Sequence, residues 1–246
     1  MRRDQVDLAG GTVIAYGHYG RPFLVFPSEQ GRAWDWESNG MIDAVRPLLE
    51  DGRVKLYCVD SFDAASWSNR SIPLEDRARN HGTYEAWVLD HVLPMIHADC
   101  ADSFGGGPQE VATMGCSLGA FHSVLFALRR ADLFPLALGL SGNYDASSWH
   151  GWGERGDAMY FANPVDFVPN LNGSHLDWLR SRLSILLVVG QGQWEDTTGS
   201  LPSTRQMADL LRDKGLRCEL DVWGHDVPHD WPSWRSQIAH HLPRFV

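Results

Sequence analysis

The chain has 246 residues, of which 43% are hydrophobic and 21% are charged, and its formal net charge is −10. That length is enough for a substantial core, and we expect one domain over residues 1–246. The negative charge argues against nucleic acid or an anionic membrane surface as a partner. No apolar run is long enough to span a bilayer. The N-terminus also lacks the apolar segment of a secretory signal.

Short apolar runs alternate with helix-like segments along the chain. VDLAGGTVIAYG, at residues 6–17, predicts an antiparallel hairpin. Six further runs predict strands: FLVF (23–26), VKLYCVD (54–60), EVATM (110–114), LALGLSG (136–142), ILLVVG (185–190) and CELDVWG (218–224). Helices are predicted over 41–52, 74–96, 118–134, 203–215 and 230–242.

This alternation, with nearly unbroken apolar strands, is typical of a parallel sheet covered on both faces. We therefore predict the α/β class, a three-layer sandwich with a mostly parallel central sheet. Chemistry in such a fold lies in the loops that follow the strands. The cysteines carry no CxxC spacing, so we expect small buried hydrophobes in a reducing cytoplasm; they are Cys58, Cys100, Cys116 and Cys218.

The most specific motif is Gly115-Cys116-Ser117-Leu118-Gly119. It follows a predicted strand and opens a predicted helix, which is the context that a nucleophilic serine on a tight turn requires. The helix N-terminus and the free N–H of the next residue favour negative charge nearby. A serine that merely caps the helix would not explain both glycines. We therefore predict Ser117 as a nucleophile.

At these residues the chain resembles the α/β-hydrolase fold, and more narrowly the esterase branch that includes feruloyl esterases, S-formylglutathione hydrolases and mycolyltransferases. The resemblance implies a cofactor-free serine hydrolase that cleaves a small-molecule carboxylic ester through an acyl-enzyme. It also implies the triad order Ser, then Asp or Glu, then His, each after a strand. An acyltransferase with the same triad, or a non-catalytic binding protein on this fold, are the alternatives.

The stretch WGHDVPHDWPSW follows the last predicted strand and contains two histidines. Pro228 lies between them and prevents the helix that would turn both toward one metal ion, so no metal is expected. His229 directly precedes the final helix, and HDW at that place resembles the esterase branch. We predict His229 as the general base and keep His225 as the alternative. Three further histidines on predicted helices are expected to be packing or surface residues (His122) or solvated (His240 and His241).

The triad acid is expected in QGQWEDTTGS, after ILLVVG. The spacing from Gly192 to Glu195 resembles that of related esterases, so Glu195 is preferred and Asp196 is the alternative.

The resemblance further implies an oxyanion hole of two N–H donors. Leu118, directly after the nucleophile, is one. The loop after FLVF supplies the other, although Pro27-Ser28-Glu29-Gln30-Gly31 replaces the His-Gly-Gly of many relatives. We prefer Glu29, with Ser28 or Gln30 as alternatives.

Tryptophan is abundant, with 11 residues, and many lie in loops near the predicted site. Core packing explains most tryptophans, but loop tryptophans beside catalytic positions favour a cleft for an aromatic, sugar-like or long apolar group. The long connection 143–184 is expected to form a wall over the site, with Arg70 at the rim as a candidate partner for an acid group. The predicted substrate-binding residues are Trp34, Trp67, Trp194 and Trp231.

Overall fold

The computed structural model describes residues 1–101 and 110–246. Within these ranges the strands are β1 (Arg3–Leu8), β2 (Gly11–Tyr16), β3 (Arg21–Phe26), β4 (Val54–Val59), β5 (Ala112–Cys116), β6 (Leu136–Leu140), β7 (Ser184–Val189) and β8 (Arg217–Val222). They form one sheet in the order β1-β2-β4-β3-β5-β6-β7-β8. The predicted hairpin β1-β2 is antiparallel, and β2 joins β4 in the same sense. From β4 to β8 every neighbouring pair is parallel.

Helices cover both faces of this sheet. They are α1 (Asp35–Ser38), α2 (Met41–Ala44), α3 (Arg46–Glu50), α4 (Leu74–Trp87), α5 (Leu93–Ala101), α6 (Leu118–Arg129), α7 (Asp157–Ala162), α8 (Pro164–Phe167), α9 (Gly173–Arg182), α10 (Ser200–Asp213) and α11 (Trp231–His241). None of the helices in the described part of the chain combines the length and apolar character needed to cross a membrane.

Two hydrophobic clusters show why the sheet needs both helical layers. Successive strand residues point to opposite faces, so Leu24 and Phe26 pack in one cluster while Phe23 and Val25 pack in the other. The first cluster includes buried residues of α4, α5, α6 and α10, and the second includes those of α1, α2, α3 and α11. The predicted three-layer α/β fold is therefore confirmed.

Two predicted helices are interrupted at prolines. The segment 41–52 forms α2 and α3 rather than one helix, and Pro47 in the first turn of α3 cannot donate to the carbonyl four residues earlier. The segment 74–96 continues to residue 101, but a π-helical stretch at Val88–Val92 separates α4 from α5. Pro94 lies two residues after this stretch and has no N–H to donate to the carbonyl four residues earlier, so the regular helical hydrogen-bond pattern is interrupted there.

The parallel strands bring six loops to one edge of the sheet, because their carboxyl ends meet there. These loops begin after Phe26, Val59, Cys116, Leu140, Val189 and Val222. They contain every residue predicted above for the triad and the oxyanion hole except Leu118, which is the first residue of α6. The sheet thus positions the candidate site.

Candidate active site

Ser117 lies on a tight turn between β5 and α6, with φ 56° and ψ −122°. A non-glycine residue rarely adopts this left-handed backbone, which is costly and is found where function requires it. A Cβ atom on Gly115 would collide with the backbone of Gly119, and one on Gly119 would collide with the carbonyl oxygen of Pro27. Both glycines are therefore needed for the turn to pack against α6 and against the loop after β3.

Three of the predicted residues form a continuous chain of contacts. The Ser117 Oγ lies 3.1 Å from the His229 Nε2, and the His229 Nδ1 lies 3.0 Å from the Glu195 Oε2. Glu195 is fully buried, and 10% of the His229 side chain is exposed. The two alternatives lie outside this chain of contacts, because the side chains of Asp196 and His225 are exposed to solvent.

The Glu195 carboxylate has further partners that the sequence analysis did not identify. Its Oε1 accepts a 2.6 Å hydrogen bond from the Ser141 hydroxyl and a 3.2 Å bond from the Gly190 N–H. The Trp234 Nε1–H donates to the Ser141 Oγ at 3.0 Å, and the Trp234 ring packs edge-on against His229 at 4.9 Å. Ser141 directly follows β6, at the same sheet edge as the other site residues. This position after a strand is the feature of the sequence that could have indicated its role.

Three consecutive amides of the loop after β3, those of Ser28, Glu29 and Gln30, are the candidate oxyanion donors. The Ser28 N–H donates to the Asp35 carboxylate at 3.2 Å, and the Gln30 N–H donates to the Asp63 carboxylate at 3.2 Å. The Glu29 N–H, between them, makes no such bond to any described residue. Ser28 and Gln30, the alternative donors, are therefore engaged elsewhere, whereas the Glu29 amide is available.

A cavity of about 490 Å³ opens beside the nucleophile turn. Its wall combines apolar and polar side chains, and the loops after β6 and β7 contribute most of it. The predicted wall from residues 143–184 is present through four residues of the loop after β6. The lining residues are Glu29, Trp67, Arg70, Ser117, Leu118, Asn143, Ser148, Trp149, His150, Asp196, Thr197, Thr198, Gly199 and Ser200.

The tryptophan prediction needs correction. Trp67 lines the cavity and packs edge-on against Trp149 at 5.6 Å, although only 2% of Trp67 is exposed. The other three predicted tryptophans lie outside the described lining. Trp34 and Trp194 project into solvent with 44% and 54% exposed, and Trp231 packs edge-on against Trp234 on α11.

The remaining histidine and cysteine predictions have mixed outcomes. His240 is exposed, but His241 is buried, with its Nε2 2.9 Å from the Asp221 carboxylate, so its predicted solvation is wrong. His122 is buried, as the packing alternative predicted. Burial raises the pKa of the Cys58 and Cys116 thiols well above the ordinary value. Within residues 1–101 and 110–246, no group of three or more His, Cys, Asp or Glu residues is arranged to hold a metal ion.

The sheet order, the nucleophile turn and the six loops at one edge define an α/β-hydrolase. Similar solved structures include a ferulic acid esterase, with a TM-score of 0.71, 16% identity and coverage of 99% of this chain and 97% of that one. Mycobacterium tuberculosis MPT51 (FbpC1) gives a TM-score of 0.69 at 13% identity, covering 99% and 97%. S-formylglutathione hydrolase (FrmB) from Staphylococcus aureus gives a TM-score of 0.62 at 13% identity, with coverage of 99% of each chain. At these identities the likeness shows the fold.

The sequence itself assigns the family. Residues 35–245 match the model of the family described as Putative esterase, and the chain belongs to that family. Its class is therefore that of the carboxylic ester hydrolases, which confirms the resemblance drawn from the GxSxG turn. No curated protein sequence matches the chain.

Proposed function

We propose that the protein hydrolyses a small-molecule carboxylic ester through an acyl-enzyme on Ser117. The observation that carries this proposal is the continuous contact from the Ser117 Oγ through His229 to the buried Glu195, with distances of 3.1 and 3.0 Å. These are hydrogen-bond distances, within the range that a nucleophile and its base require. The order of the three residues in the chain is also that of the α/β-hydrolases.

In the first half-reaction the Ser117 Oγ attacks the ester carbonyl carbon while the His229 Nε2 takes the hydroxyl proton. Glu195 accepts from the Nδ1–H, which fixes the imidazole tautomer and stabilises the imidazolium that forms. The carbonyl oxygen becomes an oxyanion, which the N–H groups of Leu118 and Glu29 stabilise. The C–O bond then breaks, and His229 returns the proton to the leaving alcohol.

In the second half-reaction a water molecule replaces the alcohol. His229 takes a proton from this water, whose oxygen attacks the acyl carbon, and the same two N–H groups hold the second oxyanion. The bond to Ser117 breaks, the proton returns to the Ser117 Oγ, and the carboxylic acid leaves. The balance is one ester and one water consumed for one acid and one alcohol.

The cavity favours a small amphipathic ester. A volume of about 490 Å³ lies within the range of small-molecule sites. Trp67 and Trp149 offer an apolar aromatic surface, while Asn143, Ser148 and His150 offer hydrogen-bonding groups on the same wall. A substrate with one flat or apolar part and one polar part matches this lining.

A fluorophosphonate probe tests the nucleophile. We expect wild type to be labelled and to hydrolyse p-nitrophenyl acetate, and Ser117→Ala to lose both. Ser181→Ala is the matched control, because Ser181 is an exposed serine on α9, outside the cavity lining, and it should keep both. A folded wild type with neither labelling nor turnover would overturn the proposal and favour a binding protein on this fold. Preferential transfer of the acyl group to an added alcohol, rather than to water, would identify an acyltransferase.

A further inference from the structure

A buried Asp-His pair lies behind the loop after β3. Asp63 follows β4 and His122 lies on α6, five residues after the nucleophile. The Asp63 Oδ1 is 3.1 Å from the His122 Nε2, and only 1% of either side chain is exposed. Neither residue lines the cavity beside Ser117. The chemistry proposed above leaves this pair without a role.

The second oxygen of Asp63 connects the pair to the site. The Asp63 Oδ2 accepts the Gln30 N–H at 3.2 Å. Gln30 has φ 54°, in the left-handed region that a glutamine rarely occupies. Such a conformation persists only when its surroundings hold it in place. The buried carboxylate is the group that holds it here.

The left-handed turn at Gln30 determines where the preceding amide points. Glu29 and Gln30 are adjacent, so rotation at Gln30 moves the chain that carries the Glu29 N–H. A second contact ties the same loops together, because the Ser68 hydroxyl donates to the Glu29 carboxylate at 2.6 Å. That contact holds the Glu29 side chain, whereas the Asp63 contact holds the backbone.

The hydrogen-bond role of His122 follows from its surroundings. Its Nδ1 is buried and has no partner among the described residues. Its Nε2 faces a carboxylate oxygen, which accepts, so the Nε2–H is the donor of this pair. Aromatic rings enclose His122: His81 stacks on it at 5.2 Å, and Phe26 and Tyr84 lie at 5.6 and 5.3 Å. The His122 N–H is thus directed at Asp63.

We propose that His122 and Asp63 are positioning residues that aim the Glu29 N–H at the reacting carbonyl oxygen. His122 orients the Asp63 carboxylate, Asp63 holds the Gln30 amide, and Gln30 fixes the direction of the Glu29 amide. This inference rests on the proposed function, since it assigns the Glu29 N–H to the oxyanion. Its effect is specific to the tetrahedral state, in which the oxygen carries the charge.

The test compares variants that remove or retain the hydrogen bonds. His122→Phe keeps a ring but loses the donor, whereas His122→Gln keeps an amide N–H near the same place. Asp63→Ala removes both acceptors, whereas Asp63→Asn keeps an oxygen for the Gln30 N–H and offers an amide to His122. His241→Phe is the matched control, because His241 is also a buried histidine hydrogen-bonded to an aspartate and lies outside the cavity lining.

The readouts are kcat, KM and the inhibition constant of a trifluoromethyl ketone, with kcat normalised to the active-site titre. This ketone adds to the serine and places an oxyanion between the N–H donors. Loss of one oxyanion donor costs about 10²- to 10³-fold in kcat, so misaiming it in His122→Phe and Asp63→Ala should lower kcat about 10- to 100-fold. The inhibition constant should rise by the same factor and KM should change little.

We expect kcat and the inhibition constant of His122→Gln and Asp63→Asn to lie close to those of wild type. His241→Phe should leave both kcat and the inhibition constant unchanged. Equal inhibition constants for wild type and the donor-less variants would overturn the inference, as would a loss in which Asp63→Asn matches Asp63→Ala. If His122→Phe does not fold, the two Asp63 variants make the same comparison. Failure of the proposed function would look different, because wild type itself would then neither turn over ester nor bind the ketone.

Discussion

Ser141→Ala should destabilise the protein strongly for a change of one oxygen atom. The Ser141 Oγ donates to the buried Glu195 carboxylate at 2.6 Å and accepts from the buried Trp234 N–H at 3.0 Å. A hydrogen bond to a charged group contributes about 1.5–3 kcal/mol, and a stranded buried donor costs about 1–3 kcal/mol. Alanine meets the same backbone cost as serine at φ 52°. The expected loss is therefore about 2.5–6 kcal/mol.

Denaturant-induced unfolding at pH 7 measures this loss directly. Ser236→Ala is the matched control, because Ser236 is exposed and its hydroxyl donates to the Pro232 carbonyl of its own helix; it should stay within about 0.5 kcal/mol of wild type. In a separate ester-hydrolysis assay, kcat of Ser141→Ala should also fall, since Glu195 loses one of the groups that orient it toward His229. A loss of less than about 1 kcal/mol for Ser141→Ala would refute the hydrogen-bond reasoning.

Three further predictions concern the site and its surroundings. Glu195→Gln should lower kcat for p-nitrophenyl acetate about 10⁴-fold, because glutamine disfavours the required imidazole tautomer. Asp196→Asn should leave kcat nearly unchanged. Equal losses of kcat in the two variants would refute Glu195 as the acid. His229→Ala should abolish turnover and His225→Ala should not, and the reverse would exchange their roles. Burial holds the pKa of His81 well below its ordinary value, so only the unfolded chain binds a proton there below pH about 6.5. Stability then falls by about 1.4 kcal/mol per pH unit as the pH decreases, and His81→Phe should remove this slope; an unchanged slope in urea unfolding would contradict it.

Much of the fold could be predicted because its signals are local. Each buried strand is an apolar run bounded by polar loops. The GxSxG motif lies between a predicted strand and a predicted helix, which identifies the nucleophile turn from the sequence. Glu195 and His229 also follow strands. The rule that chemistry lies at the carboxyl ends of the strands therefore limits the candidates for the acid and the base to a few residues. The predicted helix 41–52 is divided at Pro47, whereas the predicted helix 74–96 is present and contains a π-helical stretch just before Pro94.

The supporting groups could not be predicted because they depend on contacts between distant residues. Asp63 and His122 are 59 positions apart, and Ser141 and Trp234 are 93 apart. Nothing in either neighbourhood indicates the partner. His241 is different: it lies seven residues after Trp234, on the helical face that is buried, so its burial had a local signal that the terminal position obscured.

Gly119 packs closely against the carbonyl of Pro27, and this contact brings the nucleophile turn and the loop after β3 together through main-chain atoms. The two amides proposed for the oxyanion belong to the main chain, and their placement depends on glycines and buried contacts rather than on the identity of the side chains at Leu118 and Glu29. Both side chains line the cavity, but the Glu29 carboxylate also accepts from Ser68 and Leu118 also packs against the core. Substitutions at other lining positions, such as His150 and Thr197, can therefore alter which esters fit without changing the catalytic backbone.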